Sequence, residues 1–348
     1  MNILSIETSC DETSVAIVRN GREVLSNGIA SQIAEHMKTG GVVPELAARE
    51  HMKAMIPVLR EALTIAEIKS WDEIDAIAVT KEPGLMGSLV VGRMTAAALA
   101  FAKDKILLEV NHIHGHLYAP WLYASKKSAP PIEAPSEPQF PILTLTVSGG
   151  HNELVLIRGH GDFEILAETL DDSAGEAFDK VARLLGLGYP GGPFIEERAQ
   201  QGNAKAIPFP IALRKETHFS FSGLKTSVLY LLKENAHRMT DEHFVNDVAA
   251  SFQEAVVMAL LEKLLRAVER YAPKEVHLTG GVSANRYLRE RIQEKLSLLP
   301  EPPLFRWPAK MEYCTDNAAM IAAAAYFTSQ KMPFVEKRSI KHCSNLEM

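Results

Sequence analysis

The sequence lacks an apolar run long enough to cross a membrane. A membrane-spanning helix needs about 20 consecutive apolar residues, and no stretch of the 348-residue chain has that length and character. The chain opens on a strand pattern, Met1 to Ile6, instead of the positively charged and then apolar segments of a signal peptide. These absences predict a cytoplasmic protein that does not insert into a membrane.

Cysteine and basic charge are also scarce. The three cysteines, Cys10, Cys314 and Cys343, are odd in number and far apart, which excludes a disulfide framework and a cysteine-based zinc cage. The net charge of −6 excludes a global positive field, so an RNA ligand needs a local basic patch or a helper protein. A composition that is 47% hydrophobic and 23% charged is typical of a globular protein, and the length suggests two domains.

Histidine, in contrast, is concentrated in one stretch, Asn111 to His116. If a helix begins after Asn111, a good N-cap, then His112 and His116 lie one turn apart on the same face. Two imidazoles at that spacing can bind one metal ion. An isolated pair could equally be ordinary core or surface histidines, but the density of three histidines in five positions favours a metal site.

The residues between the two histidines restrict the chemistry. Zinc proteases carry His-Glu-x-x-His, in which the glutamate is the general base, whereas Ile113, His114 and Gly115 stand here. A metalloprotease is therefore disfavoured, and the metal is expected to orient a substrate or polarise an oxygen. The candidate third ligand is Asp316, just before an alanine-rich helical run. Two histidines and one aspartate leave coordination positions open and suit iron(II) or zinc. As ligands of an open site, the histidines are expected to lie outside the core.

The order of local patterns repeats along the chain. A strand, a polar turn and a second strand occupy residues 2–18, and the same order returns at 141–157. A strand, a glycine-rich loop and a helix follow at 73–102 and again at 275–296. Four unrelated glycine turns are the alternative, but the matching order favours duplication. The repeat predicts an α/β protein of the duplicated actin-like and sugar-kinase-like (ASKHA) class, with two facing subdomains and a central cleft.

The same pattern predicts the domain boundaries. We assign residues 1–125 to the first subdomain, joined by a C-terminal helix over 317–348, and residues 141–316 to the second. The proline-rich residues 126–140 are assigned to an exposed linker or insertion.

Other segments bear on the site or the core. A helix from Pro44 to about Thr64 places Leu46, Ala47, His51 and Met55 at helical spacing. Residues 242–272 predict a long amphipathic helix. The stretch 218–226 alternates aromatic and hydroxyl residues and predicts a short strand.

A helix predicted to begin near Asp172 or Ser173 carries Asp179. A carboxylate in this position can pair with Lys180, or it can bind ribose hydroxyls as acidic residues do in nucleotide sites.

Together these motifs resemble the TsaD family, the tRNA adenosine threonylcarbamoyltransferases formerly labelled O-sialoglycoprotein endopeptidases. The resemblance spans nearly the whole chain. It is carried, in order, by residues 6–13, 111–116, 147–151, 175–180, 189–193, 219–226, 280–285 and 314–317.

The resemblance implies an activity and a set of site residues. The threonylcarbamoyl group of threonylcarbamoyl-AMP is transferred to N6 of the adenosine 3′ of the anticodon, in tRNAs that read codons beginning with A. The implied metal ligands are His112, His116 and Asp316, with iron favoured over zinc, and Asp11 is implied to be important for transfer. The implied adenylate-binding residues are Thr146, Val147, Ser148, Gly149, Gly150, Asp179, Gly192, Glu196 and Asn285.

The resemblance also implies partners, namely tRNA, a small paralogous TsaB-like protein and a TsaE-like ATPase. One departure from the family pattern is Glu82, which stands before Pro83-Gly84-Leu85 where a glycine is common, and this disfavours the loop as an anion site. The remaining alternatives are a small-molecule kinase, which needs no such metal site, and a non-catalytic nucleotide-binding scaffold of a tRNA-modifying complex.

Overall fold

The computed structural model describes residues 1–125 and 136–329. Most of the linker assigned to 126–140, and residues 330–348 of the helix expected over 317–348, lie outside the described residues. The chain divides into two units. The first comprises the described parts of Met1–Glu137 and Pro308–Met348, and the second is Pro138–Trp307. Asp316 therefore lies in the first unit.

The first unit is built around one mixed sheet. Its strands are β1 (Asn2–Glu7), β2 (Glu12–Arg19), β3 (Glu23–Ser31), β4 (Ala76–Glu82), β5 (Ile106–Asn111) and β6 (Tyr123–Ala124). Its helices before the linker are α1 (Ile33–Thr39), α2 (Pro44–Ile65), α3 (Met86–Ala102) and α4 (His112–Tyr118). The strand order is β5-β4-β1-β2-β3-β6, and apolar residues of β1, β2 and β4 pack against α2 and α3.

The second unit has a sheet of its own. Its strands are β7 (Ile142–Val147), β8 (Asn152–Gly159), β9 (Asp162–Glu168), β10 (Glu275–Thr279) and β11 (Leu304–Arg306). Its helices are α5 (Ala174–Leu184), α6 (Gly191–Ala199), α7 (Ser222–Glu234), α8 (Glu242–Tyr271) and α9 (Arg286–Ser297). The strand order is β11-β10-β7-β8-β9. The central helix α8 forms where the sequence predicted a long helix, but runs of consecutive buried residues, such as 248–253, show that it is buried on most faces and is not amphipathic.

The two sheets share one topology. In each unit the first three strands form an antiparallel meander, and the fourth and fifth strands add in parallel on the other side of the first. The parallel pairs β1/β4 and β7/β10 therefore end at equivalent places, where polar loops follow each strand. The duplication that the repeated pattern predicted is confirmed, and it puts candidate site residues at the carboxyl ends of parallel strands, where α/β sheets bind ligands.

The chain returns to the first unit with α10 (Ala318–Ser329). The start of this helix is fixed to the sheet, because Ser5 Oγ donates to Ala318 O at 2.6 Å and Ala318 N donates to Ser14 Oγ at 2.9 Å. The segment just before α10 is thus held against β1 and β2. Within the described residues, no helix has the length and apolar character needed to cross a membrane.

One sequence prediction about the fold is wrong. The stretch 218–226 was expected to form a short strand, but it contributes only an isolated bridge at Phe219 and then starts α7 at Ser222. Phe219 and Phe221 are fully buried, so their alternation reflects two anchors in the core. The Asp171 carboxylate accepts from Phe221 N and Ser222 N, which ends the extended segment there.

A buried ion cluster stabilises the edge of the second sheet. Glu275 at the start of β10 is 1% exposed. It accepts from Arg306 Nε on β11 at 2.6 Å, from His277 Nε2 at 2.9 Å and from Gln139 N at 2.8 Å. Burial alone would raise the pKa of Glu275, but these donors outweigh it and lower the pKa to about 2. The carboxylate therefore joins β10, β11 and the segment before β7.

Glu275→Gln is expected to lower the free energy of unfolding at pH 7 by about 3 kcal/mol, because Arg306 loses its buried partner. A folded-state pKa near 2, below the ordinary value of 4.5, means that the stabilisation is fully present above pH 4.5 and is lost as the pH falls towards 2. Denaturant unfolding of both proteins across this range should show their stabilities converging in acid. A constant difference from pH 7 to pH 3 would contradict this assignment.

Candidate metal centre

The histidine pair lies on the short helix α4, as the sequence predicted. The Asn111 side chain caps the helix by accepting from Ile113 N at 2.9 Å and from His114 N at 3.3 Å. This cap starts the helix directly after β5, so that His112 and His116 share one face. Their rings are 4.8 Å apart, edge to face.

Asp316 is brought to the pair by the packing of α4 on α10. Gly115 makes this approach possible, because a Cβ there would lie 2.9 Å from Ile321 Cδ1 and 3.0 Å from Met320 Cγ. Asn317 caps α10 by accepting from Met320 N at 3.0 Å, which leaves Asp316 as the last residue but one before the helix. The segment that carries Asp316, the expected third ligand, is thus fixed both to the sheet and at the start of α10.

The three donors converge on one point. Asp316 Oδ1 lies 3.4 Å from His112 Nε2 and 3.3 Å from His116 Nε2, and one donor atom from each residue falls within 4.8 Å of the others. Ligands bound at about 2.0–2.1 Å in a tetrahedral arrangement are separated by roughly 3.4 Å. The spacing between the aspartate and each histidine therefore fits a shared metal ion.

The environment of His116 also fits a ligand. His116 is fully buried, and neither of its ring nitrogens has a hydrogen-bond partner of adequate geometry in the described part of the chain. A buried imidazole nitrogen without a partner is costly, and coordination of Nε2 would remove that cost at the atom nearest Asp316.

The electrostatics favour positive charge at this point. Burial alone would lower the pKa of His112, but Asp316 and Glu7 outweigh it and raise the pKa well above its ordinary value. Burial alone would raise the pKa of Asp316, but the neighbouring histidines, chiefly His112, hold it well below its usual range. Two carboxylates, the buried Glu7 and the partly exposed Asp316, therefore lie beside two imidazoles in a site that a divalent cation would neutralise.

Glu7 is a candidate site residue that the sequence reasoning did not single out. It ends β1, is fully buried, and accepts from His112 Nδ1 at 3.1 Å, from Ser9 N at 2.5 Å and from Thr80 Oγ1. Because Nδ1 donates to Glu7, Nε2 of His112 is the free ligand atom, and it points towards Asp316. This is the carboxylate–histidine arrangement that orients metal ligands. The available signals were a carboxylate at the end of the strand and its place in the motif of residues 6–13, neither of which indicates the contact with His112.

Asp11 lies in the β1–β2 turn and is 9% exposed. Burial raises the pKa of the neighbouring Cys10 thiol, and Asp11 and Asp316 add to the effect. Burial likewise raises the pKa of Glu12 well above its ordinary value, again with contributions from Asp11 and Asp316. Cys10 therefore lacks the lowered pKa of an activated nucleophile.

The residues that the resemblance assigned to an adenylate all lie in the second unit. They occupy the end of β7 and the β7–β8 turn (residues 146–150), α5 (Asp179), α6 (Gly192 and Glu196) and the N-cap of α9 (Asn285).

Hydrogen bonds connect the helices that carry these residues. Asp179 Oδ1 accepts from Gly191 N at 2.6 Å, which ties α5 to the start of α6. Glu196 Oε1 accepts from Arg286 N at 2.7 Å, which ties α6 to the start of α9. Asn285 caps α9 by accepting from Leu288 N and donates to Gln253 Oε1 on α8. Asp179, Glu196 and Asn285 therefore link α5, α6, α9 and α8 through one connected set of hydrogen bonds.

Two glycines let these elements approach the β7–β8 turn. A Cβ on Gly175 would lie 2.4 Å from Ser148 O, and a Cβ on Gly280 would lie 2.4 Å from Val147 O. Gly280 also has a φ of 83°, which favours glycine. The N-terminus of α5 and the loop after β10 thus both lie against the turn at residues 148–150.

The loop that contains Glu82 has a structural use. Leu85 N donates to Ser9 O at 2.8 Å, and a Cβ on Gly84 would lie 2.7 Å from the same oxygen. This loop supports the β1–β2 turn through its backbone, which is compatible with the sequence expectation that it is not an anion site.

His112→Ala and His116→Ala are each expected to abolish stoichiometric metal binding, because each removes one of three ligands. The sequence-based expectation that these histidines lie outside the core is wrong, since both are buried, so some loss of melting temperature should accompany the change. His114→Ala, on the same helix, is the matched control and should retain metal. Elemental analysis showing full occupancy in the double variant would rule out this ligand set.

Glu7→Gln is expected to weaken metal binding by about 10–100-fold, as loss of an outer carboxylate partner typically does. Thr80→Val removes one donor to Glu7 but leaves the contact with His112, and it should cost less. Competition with a chromophoric chelator measures both dissociation constants. Equal affinities in the wild type and Glu7→Gln would show that Glu7 does not orient His112.

Comparison with known proteins places the chain in a family. Residues 23–323 match the family model "TsaD: tRNA N6-adenosine threonylcarbamoyltransferase". A protein of that name from Thermomicrobium roseum is 50% identical over 350 residues, covering 95% of this chain and 93% of the relative. Another, from Bacillus licheniformis, is 49% identical over 331 residues, covering 94% and 92%.

Solved structures show the fold. HypF of T. kodakarensis has a TM-score of 0.59 at 15% identity, and the match covers 94% of this chain but only 48% of HypF. Component A of (R)-2-hydroxyglutaryl-CoA dehydratase from Acidaminococcus fermentans has a TM-score of 0.51 at 15% identity, covering 95% of this chain and all of that one. The predicted actin-like and sugar-kinase-like α/β class is confirmed.

Similarity to the TsaD relatives extends over nearly the whole chain. It favours neither the protease nor the scaffold alternative. The chain belongs to the TsaD family, the tRNA N6-adenosine threonylcarbamoyltransferases.

Proposed function

We propose that this chain transfers threonylcarbamoyl from threonylcarbamoyl-AMP to N6 of the adenosine 3′ of the anticodon, in tRNAs that read codons beginning with A. The observation that carries the proposal is the convergence of His112, His116 and Asp316, backed by Glu7, in a chain of this family. A tRNA substrate favours the cytoplasm as the compartment.

The second unit is proposed to bind the adenylate. The β7–β8 turn at residues 148–150 offers small residues and backbone N–H groups of the kind that bind phosphate. Asp179 and Glu196 are proposed to accept hydrogen bonds from the ribose hydroxyls, as acidic residues do in nucleotide sites. Their links to the starts of α6 and α9 support this role, because they fix the carboxylates before the ligand arrives.

The transfer step needs positioning more than a covalent intermediate. N6 of the adenosine attacks the carbamoyl carbonyl, a C–N bond forms, and the C–O bond to the phosphate breaks with release of AMP. Asp11 is proposed to accept the proton that N6 loses. Because AMP is a good leaving group, alignment of the reactants supplies much of the acceleration. When bound, a divalent cation supplies positive charge that polarises an oxygen of the donor.

The metal is proposed to be iron(II), with zinc as the alternative. Two histidines and one carboxylate with open positions form the donor set typical of non-haem iron(II), although zinc accepts the same ligands. Elemental analysis of protein purified without oxygen distinguishes the two ions.

Protein partners are proposed for the outer faces of α2 and α3. These faces expose Met52, Ile56, Val90 and Met94, and Phe101 at the end of α3 is 92% exposed. An apolar patch of this kind marks an interaction site. A small TsaB-like paralogue is the proposed occupant, and a TsaE-like ATPase is proposed to reset the complex.

The proposed reaction is tested by nucleoside analysis of tRNA. Unmodified tRNA is incubated with this protein, ATP, threonine, bicarbonate and the partner proteins, and the nucleosides are then separated and weighed. Threonylcarbamoyladenosine should appear only in tRNAs that read codons beginning with A. Cleavage of a protein substrate, with no modified nucleoside, would instead favour the endopeptidase alternative.

Asp179→Ala is expected to weaken binding of a non-hydrolysable adenylate by about 1.5–3 kcal/mol, the value of hydrogen bonds to a charged group. Asp179→Asn keeps an acceptor for Gly191 N, so it separates ribose binding from support of α6, and it should also weaken binding. Glu197→Ala, on an exposed position of α6, is the control. If calorimetry gives unchanged affinity for both Asp179 variants, the Asp179 carboxylate does not bind the adenylate.

The isolated chain is expected to bind tRNA poorly and to need its partners for turnover. The net charge of −6 gives no long-range attraction for a polyanion. Transfer assays at physiological salt with preformed adenylate should give multiple turnovers only in the complex. Repeated turnover by the chain alone would refute the partner requirement, and tight tRNA binding by the chain alone would refute the electrostatic argument.

A further inference from the structure

We propose that His51 is a positioning residue that sets the orientation of Asp11 through the Cys10–Asp11 peptide bond. The inference rests on the proposed role of Asp11 in transfer. It comes from a buried group of polar side chains between α1, α2 and the β1–β2 turn that takes no part in the metal centre.

Three consecutive carbonyl groups of the β1–β2 turn are each held by a different element. Ser9 O accepts from Leu85 N at 2.8 Å, Cys10 O accepts from His51 Nε2 at 3.0 Å, and Asp11 O accepts from Gln32 N at 3.0 Å. The peptide groups on both sides of Asp11 are therefore fixed from outside the turn. Of these three donors, only that of His51 is a side chain, so it alone can be removed by substitution without altering the backbone.

The hydrogen bonds of His51 define its tautomer. Cys10 O can only accept, so Nε2 of His51 carries the proton and donates. The other ring nitrogen, Nδ1, lies 2.7 Å from Thr13 Oγ1 and 3.3 Å from Gln32 Nε2, and both can donate to it. Burial lowers the pKa of His51, in agreement with a neutral ring. Both nitrogens are thus satisfied, and the ring cannot rotate without losing the hydrogen bonds of both.

The surroundings keep this arrangement rigid. His51 is fully buried on the inner face of α2, next to Met55 in the core of the first unit. Gln32 is itself held by His36, whose Nε2 lies 3.1 Å from Gln32 Oε1. A histidine on an apolar helix face is usually a core residue with satisfied hydrogen bonds. Here, the acceptor of the His51 hydrogen bond is Cys10 O, the carbonyl directly before Asp11, and Asp11 is the proposed proton acceptor.

Loss of this bond should affect the transfer step selectively. The Cys10–Asp11 peptide plane determines where the Asp11 side chain leaves the backbone, and without His51 the Cys10 carbonyl would lose the donor that fixes this plane. A displacement of about 1 Å at a reacting group can slow a reaction by roughly 100-fold. The metal ligands and the adenylate-binding residues make no contact with His51 in the described hydrogen-bond network, so metal and adenylate binding should remain unchanged.

The test compares two substitutions of His51 in the assembled complex. His51→Gln places an amide N–H near the position of Nε2 and should retain most of the activity, whereas His51→Leu offers no donor. We expect His51→Leu to lower the single-turnover rate constant of transfer about 10–100-fold, with unchanged metal content and adenylate affinity. Met55→Ala, one turn along the same buried face, is the control for lost stability. If its melting temperature equals that of His51→Leu, it should still slow transfer much less than His51→Leu does.

A double-mutant cycle with Asp11 separates the two claims. If His51 acts through Asp11, then His51→Leu should have no further effect in the Asp11→Ala background. If Asp11→Ala alone leaves transfer unchanged, the proposed role of Asp11 is wrong. If Asp11→Ala abolishes transfer while His51→Leu does not slow it, or slows it no more than Met55→Ala, the positioning role of His51 is overturned and the role of Asp11 stands.

Discussion

The first unit depends on one buried imidazole held between two carboxylates. His112 donates through Nδ1 to Glu7 at 3.1 Å and presents Nε2 to Asp316 at 3.4 Å. Glu7 is fully buried, whereas the Asp316 side chain is 22% exposed. Burying a carboxylate is costly unless positive charge accompanies it, and this cost favours a cation where β1, α4 and the segment before α10 meet. The Asn111 cap fixes the start of α4, and Gly115 allows α4 to approach α10 closely. The hydrogen bonds of Ser5 and Ser14 to Ala318 fix the start of α10 to β1 and β2.

The duplicated topology gives the two units equivalent positions with different chemistry. In the first unit, the end of β1 carries Glu7 and leads into the turn with Asp11. In the second unit, the end of β7 leads into the turn at residues 148–150, which two glycines allow other loops to approach. The first turn is rich in carboxylates and is supported from three sides by hydrogen bonds to its carbonyls. The second turn is small and glycine-rich. The same strand arrangement thus carries a turn beside the candidate metal centre in one unit and a proposed phosphate-binding turn in the other.

Features with a periodic or local signal were predictable from the sequence. Helical spacing and the Asn111 cap predicted α4 and its histidine face, and the order of strands and glycine loops predicted the duplicated fold. Glu7 was not predictable, because a single carboxylate at a strand end has no periodicity and its partner His112 is 105 residues away. The burial of His112 and His116 was missed for a related reason: the helix that covers them, α10, comes from the end of the described chain. The sequence predicted a helix that carries His51 at helical spacing with Met55, but it could not show that the hydrogen-bond acceptor of His51 is Cys10 O.

We infer that His112, His116 and Asp316 bind one metal ion together. This is tested by anomalous diffraction from crystals of the metal-loaded protein, recorded on both sides of the absorption edge of the metal. We expect one peak per chain, at about 2.0–2.2 Å from Nε2 of each histidine and from a carboxylate oxygen of Asp316. A peak bound by other residues, or by only one of these three, would contradict it.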